Sequence, residues 1–195
     1  MSAIQKLARD DFPQLLSEIP EPPQELYIKG MLPPPGTKLL AVVGSRRMSR
    51  YAKDACEYLI QGLSGYPISI VSGLALGVDG AAHRAALSAG LHTIAIPGSG
   101  LHDDVLYPRA HFPLAQEILQ AGGALLSEFE PLFKARPESF PKRNRIMAGM
   151  SHAVLVIEAG TQSGTLITAR LAVEYGRELL IVPHSIFSEG GDRKS

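Results

Sequence analysis

Short apolar runs alternate with longer amphipathic segments from residue 38 onwards, and this alternation restricts the fold more than any other feature. The runs, rich in valine and isoleucine, lie at residues 39–43, 68–71, 93–96, 124–126, 153–157 and 179–182. Such runs are typical of strands buried on both faces. The segments between them predict helices at about 49–63, 78–89, 110–121, 143–150 and 163–175. We therefore expect an α/β fold of three layers, with a mostly parallel sheet of about six or more strands and helices on both faces.

Proline is concentrated at the start of the chain, where residues 1–36 hold seven of the 15 prolines. Because proline fixes φ and removes a backbone donor, this stretch cannot hold long helices. It also contains apolar residues, among them Leu16, Leu26 and Ile28, which are too many for a free linker. We expect residues 1–36 to form an extended leader that wraps the surface of one domain at residues 37–195.

Composition excludes several classes of protein. Lys+Arg and Asp+Glu number 19 each, so the chain is not a polycation that coats DNA or membranes non-specifically. The hydrophobic fraction of 45% excludes a disordered tail. The single cysteine, Cys56, excludes an intrachain disulfide and a cysteine-rich zinc site, and favours a cytoplasmic protein. The sequence has no signal peptide, no membrane span and no paired metal-ligand spacing.

Glycine and serine follow several predicted strands directly. The loops read Gly44-Ser45-Arg46-Arg47, Ser72-Gly73-Leu74-Ala75-Leu76-Gly77, Pro97-Gly98-Ser99-Gly100 and Glu158-Ala159-Gly160-Thr161-Gln162-Ser163-Gly164-Thr165. One such loop could serve turn formation alone, but four at the same edge of a parallel sheet favour a phosphate-bearing ligand. The chain has no P-loop, and Asp103 stands where a dinucleotide fingerprint needs its third glycine. We expect no nicotinamide and no other cofactor.

Basic residues cluster within this neutral chain. Residues 134–147 carry five basic side chains against Glu138, and they surround Phe140; the first βα loop adds a second basic cluster. Arginines and backbone amides that meet phosphates, beside a ring that stacks a base, suit single-stranded nucleic acid. The alternative is a solvated surface with Phe140 in the core. The basic residues are Lys134, Arg136, Lys142, Arg143 and Arg145 in the segment, and Arg46, Arg47 and Arg50 in the loop.

Three polar residues are candidates for bracing the ligand loops. Asp79 and His83 lie four residues apart on one helix face, so the Asp79 carboxylate could fix the tautomer of His83. A general acid–base pair is the alternative. Glu158 ends a buried strand and could accept hydrogen bonds from loop N–H groups, or contact a ribose. Because Cys56 lies on a helix and no Gly-x-Ser-x-Gly elbow occurs, we expect no catalytic residue.

Weak motifs follow one another from about Asp11 to Phe187 in a specific order and spacing. Together they resemble the DNA-processing protein A family, also called DprA or Smf. The motifs are Phe12-Pro13, Leu26-Tyr27-Ile28-Lys29-Gly30, Val43-Gly44-Ser45-Arg46, Ser72-Gly73-Leu74-Ala75, Gly77-Val78-Asp79, Ala82-His83, Ala86-Leu87, Tyr107-Pro108, Ser127-Glu128, Phe140-Pro141-Lys142-Arg143-Asn144-Arg145-Ile146, Glu158-Ala159, Ser163-Gly164-Thr165 and Thr168-Ala169.

This resemblance implies an extended Rossmann-like fold that binds single-stranded DNA without cutting it. It implies a homodimer that loads the RecA recombinase during natural transformation, in competence, displacing or bypassing single-strand-binding protein. Arg46 would contact phosphate, and Phe140 would stack a base. Lys142, Arg143, Asn144 and Arg145 would line the DNA pocket, while Gly44, Ser45, Ser72, Gly73, Ser163 and Gly164 would supply backbone or hydroxyl donors.

Two further points follow from the resemblance. The 195 residues leave no room for the N-terminal helical domain or the C-terminal winged-helix-like module of many members, so we expect the Rossmann-like core alone. The alternative functions are a nucleotide-processing enzyme, similar to the phosphoribohydrolases, and a nucleotide sensor on the same fold. Thr168 stands where the phosphoribohydrolase motif has its catalytic glutamate, which argues against that chemistry.

Overall fold

A single sheet organises the computed structural model, which describes residues 3–160 and 163–183. Its strand order is β1-β2-β6-β5-β4-β3-β7-β8. The strands are β1 (Gln5–Lys6), β2 (Tyr27–Gly30), β3 (Lys38–Gly44), β4 (Ile68–Ser72), β5 (His92–Ala95), β6 (Ala124–Ser127), β7 (Ala153–Glu158) and β8 (Glu178–Ile181). The six strands from β3 to β8 run parallel, as the apolar runs predict.

Helices cover both faces of the sheet, which confirms the three-layer α/β architecture. The helices are α1 (Gln14–Ser17), α2 (Arg50–Gln61), α3 (Val78–Ser88), α4 (Phe112–Gln120), α5 (Ser139–Met150) and α6 (Gly164–Glu174). Alternate strand residues point to opposite faces. Ala41 and Val43 therefore pack with α1, α5 and α6, whereas Val42 packs with α2 and α3; α4 covers the same face as α2. None of the helices in the described ranges has the length and apolarity to cross a membrane.

Helix α5 begins at Ser139, four residues before the start at 143 that the sequence predicts. Proline is tolerated in the first turn of a helix, because the N–H that it lacks would have no partner there. Pro141 therefore belongs to the helix and does not precede it. The Ser139 hydroxyl donates to the carbonyl of Gly98 at 2.6 Å, which anchors this helix start on the loop after β5.

The leader contributes two strands to the sheet as well as wrapping the surface, whereas only the wrapping was expected. Strand β2 pairs antiparallel with β6, with Tyr27 opposite Ser127, and β1 pairs antiparallel with β2. Leu16 and Leu26 are fully buried, and Leu16 packs in the same core as α5 and α6. The leader thus covers what would otherwise be the free edge of β6.

Candidate functional site

A crevice of about 780 Å³ opens where the strand order reverses, between β3 and β7. The carboxyl ends of the parallel strands meet at this edge, and ligands of open α/β sheets bind at such a switch point. The walls come from the loops after β3 and β7 and from the first turns of α5 and α6. Two residues of the loop after β7, Thr161 and Gln162, lie outside the described residues.

Most of the site residues expected from the sequence line this crevice. They come from five different segments of the chain, so only the tertiary fold brings them together. The expected residues in its lining are Gly44, Ser45, Arg46, Asp79, Phe140, Arg143, Asn144, Glu158, Ser163 and Gly164. The remaining expected residues are not in this lining; they are Ser72, Gly73, His83, Lys142 and Arg145.

An arginine and two rings meet at one side of the crevice. The Arg46 guanidinium lies over the Phe140 ring, with Cζ 5.0 Å from the ring centroid, which is a cation–π contact. The Tyr107 ring approaches Phe140 with centroids 5.9 Å apart and planes tilted by 56°. Gly98 makes room for Phe140, because a Cβ at this position would stand 2.7 Å from the ring. Arg46 itself is exposed and so remains accessible to an anion.

Arg143 forms the base of the crevice rather than a solvent-facing contact. Its side chain is buried, and its Nη1 donates to the carbonyls of Gly73 and Ile96. Its Nε donates to Asn144 Oδ1 at 3.1 Å. Burial lowers the pKa of Arg143, and the nearby Asp79 carboxylate opposes that shift. These bonds hold the loops after β4 and β5 together beneath the crevice.

The N-terminus of α6 faces the crevice with free donors. Ser163 is the N-cap residue, and its side chain makes no capping hydrogen bond. The Ser163 Oγ is buried and has no hydrogen-bond partner among residues 3–160 and 163–183. Because the first N–H groups of a helix have no partner within it and carry partial positive charge, this helix start suits an anion.

Three of the residues expected to contact DNA have other surroundings. The Ser72 hydroxyl is buried and donates to the Val42 carbonyl at 2.6 Å. Arg145 donates to the Glu128 carboxylate and to the Glu21 carbonyl. Burial raises the pKa of Glu128, and Arg145 opposes this shift. Lys142 is exposed on α5, outside the crevice lining.

The hypothesis that Asp79 fixes the tautomer of His83 is wrong. The His83 Nδ1 lies 2.8 Å from Thr93 Oγ1, which also lies 2.9 Å from the Ile70 carbonyl oxygen. Thr93, and not Asp79, is thus the side-chain partner of His83. Burial lowers the pKa of His83 to about 3, so the ring is neutral.

Asp79 and Glu158 each contact the backbone of a neighbouring loop. Asp79 Oδ2 accepts a long hydrogen bond of 3.4 Å from the N–H of Ala75, and burial raises its pKa. Glu158 Oε2 accepts from the N–H of Ser49, the N-cap residue of α2, at 2.8 Å. The Glu158 carbonyl also accepts from the N–H of Ser45 at 2.9 Å. These contacts lie at the ends of the strands that bound the crevice.

Tyr107 has no predicted role, although Tyr107-Pro108 is among the motifs. The residue is 47% exposed and lines a small cleft of about 50 Å³ beside the crevice. Met147 and Thr165 also line the crevice without having been expected there. Helical spacing from Arg143 would have placed Met147 on the same face, four residues further along α5.

The fold and the crevice define an open α/β protein whose switch point presents arginines, an aromatic ring and helix N-termini to an anionic ligand. Among known families, the model of DNA recombination-mediator protein A matches residues 4–193. The chain belongs to this family.

Curated relatives share between a third and a half of their aligned residues with this chain. Protein Smf of Escherichia coli is 42% identical over 92% of this chain and 47% of its own length. DNA processing protein DprA of Streptococcus pneumoniae is 45% identical over 91% of this chain and 61% of its own. The chain therefore spans about half to three-fifths of the length of these relatives.

Solved structures agree with the fold over nearly the whole chain. DprA from Streptococcus pneumoniae has a TM-score of 0.87 at 41% identity, covering 97% of this chain and 66% of that one. DNA processing protein A from Helicobacter pylori, studied for its single-stranded DNA binding mode, has a TM-score of 0.83 at 31% identity, covering 96% and 85%. A molybdenum cofactor binding protein from Rippkaea orientalis, at 18% identity and a TM-score of 0.55, covers 76% of this chain and 77% of that one and shares the fold alone.

Proposed function

We propose that this chain binds single-stranded DNA in the crevice between β3 and β7 and acts as a recombination mediator that delivers the strand to RecA. Membership of the DNA recombination-mediator family supports the role. The Helicobacter pylori relative, which is described as binding single-stranded DNA, supports the ligand. The proposed setting is the cytoplasm of a cell that takes up DNA, with single-strand-binding protein and a second copy of the chain as further partners.

The contact of Arg46 with Phe140 at the crevice is the observation that carries the proposal. A single-stranded nucleic acid offers a phosphate to a cation and an unpaired base to a ring, and both groups stand here within 5.0 Å. An exposed cation–π contact is worth only about 0.5–1 kcal/mol. An incoming phosphate can therefore draw Arg46 away from the ring and leave the face of Phe140 free for a base.

Direct contacts are proposed for residues that line the crevice and could offer a donor, a cation or a ring to the strand. These are Gly44, Ser45, Arg46, Phe140, Asn144, Ser163 and Gly164. Lys142 is proposed to attract the strand from its exposed position on α5. Ser72, Gly73, Arg143 and Arg145 are proposed to act indirectly, because their polar groups bind other parts of the protein.

The proposed role is binding without catalysis. Thr168, at the position of the catalytic glutamate in phosphoribohydrolases, lines the crevice with a hydroxyl group. The carboxylates in this lining, Asp79 and Glu158, both accept hydrogen bonds from backbone N–H groups. Release of free base from a nucleoside monophosphate by the purified protein would contradict this part of the proposal.

The test is a fluorescence titration of a labelled dT oligomer, a duplex and a mononucleotide at two salt concentrations. We expect the oligomer to bind most tightly and its affinity to fall steeply with salt. Arg46→Ala should reduce the salt slope by about one at most. Phe140→Ala should cost about 1–3 kcal/mol of binding free energy.

Arg109→Ala is the matched control. The Arg109 guanidinium also lies over a ring, with Cζ 4.4 Å from the centroid of Phe112, but neither residue lines the crevice. This variant should bind the oligomer like the unmodified protein. Tighter binding of the mononucleotide, or an unchanged affinity when Arg46 and Phe140 are replaced together, would refute the proposed site.

A further inference from the structure

A second exposed ring stands beside Phe140. Tyr107 lies in the loop between β5 and α4, and 47% of its surface is exposed. Leu76, which also lines the small cleft, is 48% exposed. Two large apolar side chains next to a polar crevice leave costly apolar surface in water. Exposed apolar surface at this place is expected if the flat apolar face of a ligand covers it.

The geometry of the two rings excludes a base inserted between them. Their centroids are 5.9 Å apart and their planes are tilted by 56°, which is already a favourable ring–ring contact. The cleft that Tyr107 shares with Phe140, Leu76 and Arg46 has a volume of only about 50 Å³. A base must therefore lie against the exposed part of the Tyr107 ring, outside the cleft.

We infer that Tyr107 and Phe140 stack two successive bases of one strand, with Arg46 at the phosphate that links them. The tilt between the ring planes then bends the strand between these two bases. This inference rests on the proposed function, because it names Tyr107 as a further residue of the same DNA site. The recognition is independent of sequence, since every base offers a flat apolar face.

The chain has no tryptophan, so Tyr107→Trp places a single fluorescent reporter at this position. A dT oligomer should quench its emission by stacking, whereas an oligomer of the same length made of abasic residues should not. Tyr66→Trp is the control, because Tyr66 is 64% exposed and does not line either the crevice or the cleft. Equal quenching by both oligomers, or none by either, would overturn the inference.

Affinity measurements separate stacking from packing. Tyr107→Leu keeps an apolar contact with Phe140 but removes the ring, and it should weaken binding of the dT oligomer by about 5- to 150-fold. Tyr107→Phe keeps the ring and should retain most of the affinity that Tyr107→Leu loses. For the abasic oligomer, Tyr107→Leu and the unmodified protein should bind equally.

The two proposals fail in different ways. If the unmodified protein binds the dT oligomer and Arg46→Ala weakens it, but Tyr107→Leu does not, only the role of Tyr107 is refuted. If the unmodified protein does not bind the oligomer, the proposed function itself is refuted. Unfolding by urea at equal midpoints for Tyr107→Leu and the unmodified protein establishes that a loss of affinity is not a loss of folding.

Discussion

Gly73→Ala should destabilise the fold through a charge that lies beneath the crevice. A Cβ at Gly73 would overlap Arg143 Nη1 and stand 2.5 Å from Asp79 Oδ2, so the guanidinium must move. Arg143 would then lose its bonds to the carbonyls of Gly73 and Ile96. Hydrogen bonds to a charged group are worth about 1.5–3 kcal/mol each. Because a buried charge that loses its partner costs about 3–5 kcal/mol in all, including the lost hydrogen bonds, we expect a loss of this size.

Urea unfolding at pH 7 measures this loss as a change in the free energy of unfolding. Gly62→Ala is the control, because Gly62 has helical φ and ψ and its Cβ would lie 3.4 Å or more from its nearest neighbours. That variant should change the free energy of unfolding by no more than about 1 kcal/mol. A loss for Gly73→Ala as small as that of the control would refute the reasoning.

A double-mutant cycle tests whether the clash with Arg143 is the cause. In an Arg143→Ala background the methyl group at Gly73 no longer meets a guanidinium. Gly73→Ala should therefore cost less there than in the unmodified protein, by at least about 2 kcal/mol. Additive losses would mean that the clash with Asp79 Oδ2, and not the one with the arginine, determines the effect.

Three further predictions concern stability. Because burial lowers the pKa of His83 to about 3, only the unfolded chain takes up a proton at this residue between pH 6.5 and 3. The free energy of unfolding should therefore fall by about 1.4 kcal/mol per pH unit as the pH drops through this window, and His83→Gln should lack this part of the slope in urea titrations at several pH values. Arg145→Ala leaves Glu128 without its cation and should lower the free energy of unfolding by about 2–4 kcal/mol at pH 7. Combining it with Glu128→Gln should recover part of that loss, and no recovery would argue against a stabilising ion pair. Ser49→Ala removes the hydroxyl that accepts from the Ala52 N–H at 3.1 Å and should lower the thermal midpoint by the equivalent of about 1 kcal/mol, against an unchanged midpoint if the cap is unimportant.

The six parallel strands could be predicted because each apolar run carries its own local pattern. Strand β2 could not, since its stability comes from pairing with β6, about a hundred residues away. The surrounding prolines indicate an irregular segment, and nothing local in Tyr27 or Ile28 specifies a partner. The antiparallel pairing of β2 with β6 therefore depends on residues far apart in the chain, and local sequence patterns do not predict it.

Which residues belong to the site was easier to predict than the direction in which each side chain points. Lys142, Arg143 and Arg145 form one basic motif in the sequence, but a helix turns by about 100° per residue. Once α5 begins at Ser139, the three side chains must point to different sides, towards solvent, the crevice base and Glu128. Because the predicted helix began at residue 143, the different directions of these side chains could not be predicted. The partner of His83 was missed for a related reason, because Thr93 belongs to a neighbouring strand.

The sheet topology places the two ends of the described chain at different distances from the crevice. Strand β1 lies at one edge of the sheet, five strands from β3, which is about 24 Å at the usual spacing between strands. Strand β8 lies next to β7, and the chain leaves it at the carboxyl edge, where the crevice opens. A dye attached at Gln5 would therefore leave the crevice accessible, whereas a dye attached at Pro183 would lie on the same side of the sheet as the crevice.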